Sequence, residues 1–389
     1  MEQLIQKHSR LVERTSTAFR RYMHSRIDWN SRMIGLVGPR GVGKTTLVLQ
    51  HIKEELCQEK VLYVNMEDFY FSNHRLVELA ETLDKLGYRY LFVDEIHRYP
   101  DWAKELKLIY DYFPDLHTVF TGSSVLDIRK GVSDLSRRAV MYSMQGLSFR
   151  EYLELAHSVV IPVHTFEQVL VRDVRTATLD HPLAYFAEYL RQGYYPFQSE
   201  SGYYEKLRQI MSITIDTDIP LFAQMNYSVA YKLKRLLGII AQSVPFKPNM
   251  SKIGEMVGIS RNVVADYITL LEEAGLVAQL HDDTAGIRQL GKVEKVYLDN
   301  TNIIYALSAG NANVGNIRET FFNNQLRVVA DVMASRQTDF LIDGASFEIA
   351  GRKKGNSQIE GLPKAYVVKD DIEYGHDNVL PLWWFGLLY

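Results

Sequence analysis

The chain has 389 residues, enough for two to four domains at roughly 100–200 residues each. Its 47% hydrophobic and 23% charged residues are typical of soluble globular proteins and exclude a disordered tail protein, a collagen-like chain and a coiled-coil rod. The single cysteine, Cys57, excludes an intramolecular disulfide and favours a reducing compartment. A formal net charge of −3 disfavours a nucleic-acid binder that is basic overall, but a local basic patch remains possible.

Strands and helices alternate through the first 150 or so residues. A helix is predicted over about the first 30, where Leu11, Phe19 and Tyr22 form an apolar stripe with Arg20 and Arg21 beside it. Further helices are predicted at Thr45–Glu59 and Trp102–Phe113, and strands at Met33–Val37, Val61–Met66, Leu91–Val93, Thr118–Thr121 and Ala139–Tyr142. This alternation predicts an α/β fold, in which helices cover both faces of a parallel sheet.

The pattern changes after this region. Residues 150–245 have a mostly helical pattern, residues 250–300 predict a helix pair and a short β-ribbon, and residues 318–389 return to mixed α/β. Strands are predicted there at Phe340–Ile342, Ser346–Ile349 and Ala365–Val368.

Neither end of the sequence predicts a membrane or export segment. The stretch 1–16 is polar and mixed in charge, without the apolar stretch of a signal peptide. The apolar run Leu380–Tyr389 is too short to span about 30 Å of hydrocarbon as a helix, so a buried final strand is predicted. A cytoplasmic location without a membrane partner is therefore expected.

A glycine-rich segment between a predicted strand and a predicted helix fits the phosphate-loop pattern G-x-x-x-x-G-K-[ST]. With the residue that follows, it consists of Gly38, Pro39, Arg40, Gly41, Val42, Gly43, Lys44, Thr45 and Thr46. Glycines let the backbone curl so that N–H groups of positions 41–43 point inward, and the next helix presents its positive end. Lys44 is expected to reach the β- and γ-phosphates, and the Thr45 hydroxyl to bind Mg²⁺. The alternative is an ordinary glycine turn.

A second acidic element follows the strand ending in Tyr90-Leu-Phe-Val. Asp94 is expected at the carboxyl edge of the sheet, where it would hold Mg²⁺ through its water shell. Glu95 is the candidate base that positions an attacking water, with Asp68 or Glu67 as the fallback. The alternative is an acid pair that caps the following helix.

Four segments occur together in one order: the loop 38–45, the acids with Ile96–Trp102, Phe120–Ser124 and Leu147–Tyr152. In this the chain resembles the prokaryotic AAA-type ATPases that carry a C-terminal restriction-endonuclease-like domain. The resemblance covers nearly the whole chain, and members of this family mostly have no assigned cellular role.

The resemblance implies further site residues. Ser123 or Ser124 matches the polar first sensor near the γ-phosphate, with a serine turn as the alternative. Arg137 or Arg138 would be an arginine finger toward a phosphate, with a solvated or salt-bridged pair as the alternative. Position 136 is Ser where the family usually has Gly.

The region after residue 250 predicts a helix-turn-helix with a wing, which the resemblance supports. Ile253, Met256 and Val257 are predicted to face inward, Gly258 and Ile259 to make the turn, and Ser260 to cap the second helix. From Ser251 to Leu280 there are two basic and four acidic residues, too few cations for strong phosphate neutralisation. A structural or protein-contact role is favoured, and direct DNA contact is the alternative.

The C-terminal segment resembles the restriction-endonuclease fold. Glu319, Asp339 and Glu348 fall where the metal-binding acids of that family would lie. The usual Glu-x-Lys element is incomplete, because Glu348 is followed by Ile349-Ala350 and the basic residues come later, with Lys353 at the wrong spacing for one strand face. The prediction is a domain that is inactive as a nuclease.

Together these features predict a P-loop parallel sheet covered by helices, a helical and winged-helix region, and a small mixed α/β C-terminal domain. The predicted domains span residues 1–155, 156–245, 246–300 and 301–389. The predicted function is that of an ATP-binding, Mg²⁺-dependent ATPase whose nucleotide state moves the helical and winged-helix regions, with ATP or ADP as ligand and an unknown protein partner. The alternatives are a nucleotide-gated, DNA-associated effector and a slow-turnover protein-interaction switch.

Overall fold

The computed structural model describes residues 1–122, 135, 137–176, 179–223, 225, 228–243, 248–282, 292–308, 312–351 and 358–389. These residues form two compact units, Met1–Gly146 and Leu147–Tyr389. Within this part of the chain, no helix combines the length and the apolar content that crossing a bilayer requires.

The first unit contains a five-stranded parallel sheet in the order β2-β3-β4-β1-β5. Its strands are β1 (Met33–Val37), β2 (Val61–Asn65), β3 (Tyr90–Asp94), β4 (His117–Gly122) and β5 (Val140–Ser143). The three central strands are almost wholly buried, as expected for strands with helices on both faces, and β1 and β3 are mainly apolar. The sheet confirms the predicted α/β fold.

The helices of the first unit are α1 (Glu2–Arg14), α2 (Met23–Arg26), α3 (Lys44–Glu55), α4 (Leu76–Lys85) and α5 (Trp102–Tyr112), with 3₁₀ turns at Phe69–Ser72 and Ile96–Arg98. Two of these helices, α3 and α5, lie where they are predicted, and α4 was not predicted. Leu79, Leu106 and Ile109 bring the apolar faces of α4 and α5 into the core that includes Leu91 and Val93 of β3.

The prediction of one helix over about the first 30 residues is wrong. Helix α1 ends at Arg14, Thr15 is extended, and Leu11 is exposed rather than part of a buried stripe. The chain leaves the helix because its carbonyl oxygens find partners on α3. The Gln50 amide donates to the carbonyl oxygens of Ser16 and Phe19. These hydrogen bonds replace the helical ones.

The second unit begins with helices, as predicted. They are α6 (Phe149–His157), α7 (Phe166–Leu170), α8 (Pro182–Gln192), α9 (Tyr203–Ile213), α10 (Ile219–Ala223), α11 (Ser228–Ser243), α12 (Met250–Val257), α13 (Arg261–Glu273), α14 (Thr301–Leu307) and α15 (Val314–Leu326), with a π-helical turn at Thr214–Asp218. An antiparallel ribbon, β6 (Val277–His281) with β7 (Val293–Leu298), follows the pair α12 and α13.

The predicted turn between α12 and α13 is confirmed, with one error. Gly258 takes a left-handed conformation after α12, and the Ser260 side chain caps α13 by accepting from the Val263 N–H. Ile253 and Val257 are buried, but Met256 is 45% exposed. The buried pair is four positions apart, and Met256 is turned away from that stripe. The winged-helix interpretation stays a prediction.

The second unit also contains a five-stranded mixed sheet, in the order β12-β11-β10-β9-β8. Its strands are β8 (Met333–Ala334), β9 (Phe340–Ile342), β10 (Ala345–Ala350), β11 (Ala365–Lys369) and β12 (Val379–Pro381). It confirms the predicted mixed α/β region.

The prediction that the terminal run forms a strand is wrong over most of its length. Strand β12 ends at Pro381, which has no N–H to donate to a sheet. Residues Leu382–Leu387 then form a 3₁₀ helix, and the whole run is buried as expected. Ser148 Oγ and Arg150 Nε donate to the main-chain oxygen of Tyr389, at 2.6 Å and 2.9 Å.

Candidate functional site

The glycine-rich loop lies between the buried strand β1 and the first turn of α3. Gly41 and Gly43 have φ angles of 81° and 99°, a region that favours glycine. Gly38 has a second reason to be glycine, because a Cβ there would lie 2.1 Å from the Met144 carbonyl oxygen. The loop therefore needs glycine at these three positions for its backbone path.

The Lys44 ammonium group lies inside the curl of the loop. Nζ donates to the carbonyl oxygens of Gly38 and Pro39, at 2.8 Å and 2.9 Å, and the residue is buried. A positive charge thus sits beside the N-terminus of α3, which carries the partial positive charge of the helix. Both features favour an anion at this loop.

Asp94 connects the loop to the sheet. It ends β3, is only 2% exposed, and its Oδ2 accepts from Thr45 Oγ1 at 2.8 Å, although the two residues are 49 positions apart. The same oxygen accepts from the Tyr63 hydroxyl at 2.6 Å, and Oδ1 accepts from the Thr121 hydroxyl. Burial, and then the carboxylate itself, raise the pKa of Tyr63, so its proton stays on the phenol. Three hydroxyl groups therefore fix this carboxylate.

Glu95 adopts a left-handed backbone conformation, φ 53°, directly after the strand. Its N–H donates to Thr121 Oγ1 at 3.3 Å. Oε2 is buried and accepts no hydrogen bond from the residues that the structure describes. Burial, and secondarily Asp94, raise the pKa of this carboxyl group, against the opposing charges of Lys44 and Arg40. The side chain is thus a proton acceptor of increased basicity.

Two further groups surround the Glu95 carboxylate. Arg40 Nη2 lies 3.9 Å from its Oε2, so this loop residue faces the site. His97 Nε2 lies 3.4 Å from the same oxygen. Burial, reinforced by the charges of Arg98, Arg40 and Lys44, lowers the pKa of His97 to about 3, so the imidazole is neutral near pH 7.

The structure does not place the remaining predicted residues in this site. Ser123, Ser124 and Ser136 fall outside the described residues. Of the fallback acids, Glu67 pairs with Arg98 at 3.3 Å and Asp68 with Lys7. The hydrogen bonds and ion pairs described above for Asp94 and Glu95 involve neither Glu67 nor Asp68.

Arg137 and Arg138 lie at the opposite edge of the sheet from the loop. They precede β5, whose first residue pairs with Ile34 near the start of β1, whereas the loop follows the end of β1. Arg138 makes two 2.9 Å contacts with the Asp111 carboxylate, and Arg137 is exposed. They therefore do not face the loop of their own chain, and the arginine-finger role toward a phosphate stays a prediction.

Sequence reasoning missed the partners of Asp94. Thr121 has a local signal, because it is a polar residue near the end of an apolar strand. Tyr63 has none, since it lies within the apolar run of β2 and contacts Asp94 across neighbouring strands. The role of Arg21, which lies beside the predicted apolar stripe, was also missed; its guanidinium contacts the loop at the Val42 carbonyl oxygen.

In the second unit, the structure brings two of the three predicted acids together around a lysine. Lys295 Nζ, from β7, lies 3.0 Å from Glu319 Oε2 and 3.0 Å from Asp339 Oδ1. The Tyr297 hydroxyl also donates to Glu319, at 2.8 Å, and the Ile349 N–H donates to Asp339 at 3.0 Å. Sequence reasoning searched for this cation after Glu348 and missed it on β7.

One ammonium group faces two carboxylates in this cluster. Burial lowers the pKa of Lys295, but Glu319 and Asp339 outweigh burial, and the pKa is raised. Burial and then Asp339 raise the pKa of Glu319, which Lys295 opposes. The ammonium group therefore keeps its proton and stabilises the two carboxylates.

The third acid, Glu348, is buried on β10, and Lys353 lies outside the described residues. Over the described ranges, no three His, Cys, Asp or Glu side chains are grouped as metal ligands. The nuclease-related interpretation of this unit stays a prediction.

Comparisons with known families match two parts of the chain. Residues 30–153 match the model of a family described as an AAA domain, which spans the loop, Asp94 and Glu95. This confirms the AAA-type, P-loop part of the resemblance. Residues 183–314 match a family described as a domain of unknown function. The comparison with curated proteins gave no match.

Solved structures also resemble the chain, at low identity. A Walker-type ATPase of Pyrococcus abyssi is 12% identical, with 78% of this chain and 95% of that chain covered and a TM-score of 0.43. AMPPCP-bound DnaA from Aquifex aeolicus is 12% identical, with 64% and 84% covered and a TM-score of 0.28. The Hsp104–ADP complex of S. cerevisiae is 15% identical, with 70% and 38% covered and a TM-score of 0.29.

The Lys295 cluster gives a prediction for stability. Lys295→Met removes the charge that Glu319 and Asp339 share, and should lower the free energy of unfolding at pH 8 by about 1–3 kcal/mol. Because the pKa of Glu319 is already raised, its protonation should relieve the repulsion as the pH falls through that pKa. Urea denaturation of both proteins from pH 8 to pH 5 should therefore show a shrinking difference.

The matched control is Lys292→Met, since Lys292 lies just before the same strand, is exposed, and is 3.9 Å from Glu294. It should change stability by less than about 0.5 kcal/mol. A Lys295→Met deficit that is constant or larger at pH 5 would contradict the charge explanation.

Proposed function

We propose that this protein is a Mg²⁺-dependent ATPase whose site lies in the first unit. The observation that carries the proposal is the 2.8 Å hydrogen bond between Thr45 and Asp94. It joins the two motifs that a phosphate-loop ATPase requires, one on the loop and helix and the other at the end of a neighbouring strand.

The loop suits the phosphates of a nucleotide. Gly41 and Gly43 permit the curled backbone, and the N-terminus of α3 faces the same space. The Lys44 ammonium group already lies against the loop carbonyl oxygens, within reach of an anion bound there. Backbone N–H groups and one buried cation are the donors that a polyphosphate needs.

The Thr45 hydroxyl and the Asp94 carboxylate suit a magnesium ion. Both present hard oxygen ligands of the kind Mg²⁺ uses beside substrate phosphates, and they already touch. Because Oδ1 of Asp94 accepts from Thr121 and Oδ2 faces Thr45, the acid can turn only a little. The ion, when bound, would neutralise phosphate charge; Thr45 and Asp94 would hold it.

Glu95 suits the role of the residue that activates water. Its Oε2 accepts no hydrogen bond from the described part of the chain, and the side chain as a whole is 17% exposed, so the carboxylate keeps the capacity to accept a hydrogen bond from water. Its raised pKa increases its affinity for the proton of that water. Arg40 and the neutral His97 limit the rotation of the carboxylate.

We also propose that nucleotide state affects the second unit through the chain segment that leads into it. The Met144 N–H donates to the Val37 carbonyl oxygen at 2.7 Å, and Gly38 packs against the Met144 carbonyl oxygen. Since Gly38 begins the loop, a ligand that rearranges the loop also acts on residues 144–146.

Lys44→Ala tests binding. Removing the ammonium group should weaken ATP binding about 100-fold or more, the scale of two charge-assisted hydrogen bonds. Isothermal titration calorimetry with ATP and MgCl₂ measures it. Lys60→Ala is the control, because Lys60 also donates to a main-chain oxygen, that of Leu86, but away from the loop. Unchanged affinity in Lys44→Ala would refute the loop assignment.

Glu95→Gln tests the chemistry. The amide keeps the size of the side chain but cannot accept the proton, so phosphate release should fall about 100-fold or more while ATP binding is kept. Glu67→Gln, the neighbouring acid paired with Arg98, is the control and should retain the wild-type rate. A wild-type rate in Glu95→Gln, with a loss in Glu67→Gln, would move the base to the fallback position.

Hydrogen–deuterium exchange tests the link to the second unit. Saturating ATP in the Glu95→Gln protein should change the exchange of peptides beyond Gly146, relative to ADP, because the triphosphate persists there. Lys44→Ala is the control and should give no difference. Changes confined to residues 1–146 would contradict this part of the proposal.

A further inference from the structure

Arg21 is a buried arginine next to the loop that neither the motifs nor the proposed chemistry uses. It is only 5% exposed, and its guanidinium group donates to three main-chain carbonyl oxygens. Nη1 donates to Val42, inside the loop, while Nη2 donates to Gln145 and Gly146 at 2.7 Å and 2.8 Å. Burying a guanidinium group costs free energy unless its N–H donors are hydrogen-bonded, and these three carbonyl oxygens offset that cost.

The contact at Val42 fixes a peptide plane of the loop. In a trans peptide, the carbonyl of one residue and the N–H of the next point in opposite directions. Arg21 holds the Val42 carbonyl on its own side, so the Gly43 N–H points to the other side. Gly43 can adopt either orientation, since its φ of 99° is in a region open to glycine. Arg21 therefore selects the orientation of an N–H that belongs to the phosphate loop.

The segment that carries Arg21 is itself held against α3. The Lys53 ammonium group donates to the carbonyl oxygens of Glu13 and Thr15, at 2.8 Å and 2.7 Å. Gln50 donates to Ser16 and Phe19 at 2.7 Å and 2.8 Å. We call residues 13–21 the N-terminal strap. Because α3 starts at Lys44, the strap connects the body of that helix to the loop that precedes it.

We infer that Arg21 is a positioning residue for the phosphate loop: it presets the Gly43 N–H toward the nucleotide phosphates before nucleotide binds. This rests on the proposed function for the nucleotide itself, but the preset orientation is a property of the ligand-free protein. Arg21 does not touch the phosphates in this account; it acts through the Val42–Gly43 peptide.

Two substitutions separate geometry from charge. Arg21→Gln removes the charge and most donors, whereas Arg21→Lys keeps the charge but replaces the two-armed donor with a single ammonium group. The matched control is Arg32→Gln. Arg32 also donates to a main-chain oxygen, that of Tyr110, but lies before β1, at the other end of the strand from the loop. Circular dichroism melting selects the proteins that fold.

Two readouts follow on each folded protein. The first is hydrogen–deuterium exchange of the peptide covering residues 38–46 without nucleotide, and the second is ATP affinity by calorimetry. Both Arg21 variants should exchange this peptide faster than wild type and bind ATP at least about tenfold more weakly, while Arg32→Gln matches wild type in both. If Arg21→Gln does not fold, Arg21→Lys carries the comparison.

Three results would overturn the inference. Exchange of residues 38–46 could be unchanged in both variants, or Arg21→Lys could bind ATP like wild type, which would mean that charge alone suffices. Arg32→Gln could also loosen the loop equally, which would indicate a general loss of stability. If wild type itself binds no ATP, the proposed function fails, and the exchange measurement on the ligand-free proteins still decides the role of Arg21.

Discussion

A buried carboxylate with three hydroxyl donors organises the first unit. Asp94 accepts from Thr45 of α3, Tyr63 of β2 and Thr121 of β4, so the helix and both strands flanking β3 are tied to one side chain. Removing a carboxylate from water is costly, and these hydroxyl dipoles replace the lost hydration. They do so without cancelling the charge, and a cation can still be attracted to the site.

The acids of the second unit are stabilised in a different way. Glu319 and Asp339 share the ammonium group of Lys295, at 3.0 Å from each. A fixed positive charge does what a bound ion would otherwise do: it offsets the repulsion between the two carboxylates. Buried carboxylates are therefore stabilised by hydroxyl groups in the first unit and by an ammonium group in the second. Among the described residues, the Asp94 carboxylate has hydroxyl partners only, whereas Glu319 and Asp339 share one ammonium group.

The sequence predicts those features whose signal is local. The loop pattern and the acids after an apolar strand depend on neighbouring residues, and the structure brings Thr45 and Asp94 together as that pattern implies. Tyr63 and Lys295 act on residues of other elements, 31 and 44 positions away for Asp94 and Asp339, and no spacing rule reaches that far. The prediction of one long N-terminal helix is wrong for a similar reason. Side chains of α3 donate to main-chain carbonyl oxygens that would otherwise accept helical hydrogen bonds. The end of β12 could have been predicted from Pro381, because proline has no N–H to donate to a sheet.

The close approach of Gly38 to Met144 has a mechanical consequence. A Cβ at position 38 would collide with the Met144 carbonyl oxygen, and Arg21 grips the next two carbonyls along the chain, those of Gln145 and Gly146. Close-packed backbone has low compressibility, so a displacement of one segment is transmitted to the segment packed against it. Residue 147 is where the second unit starts. A shift of the loop backbone at Gly38 would therefore displace residues 144–146, the last residues of the first unit.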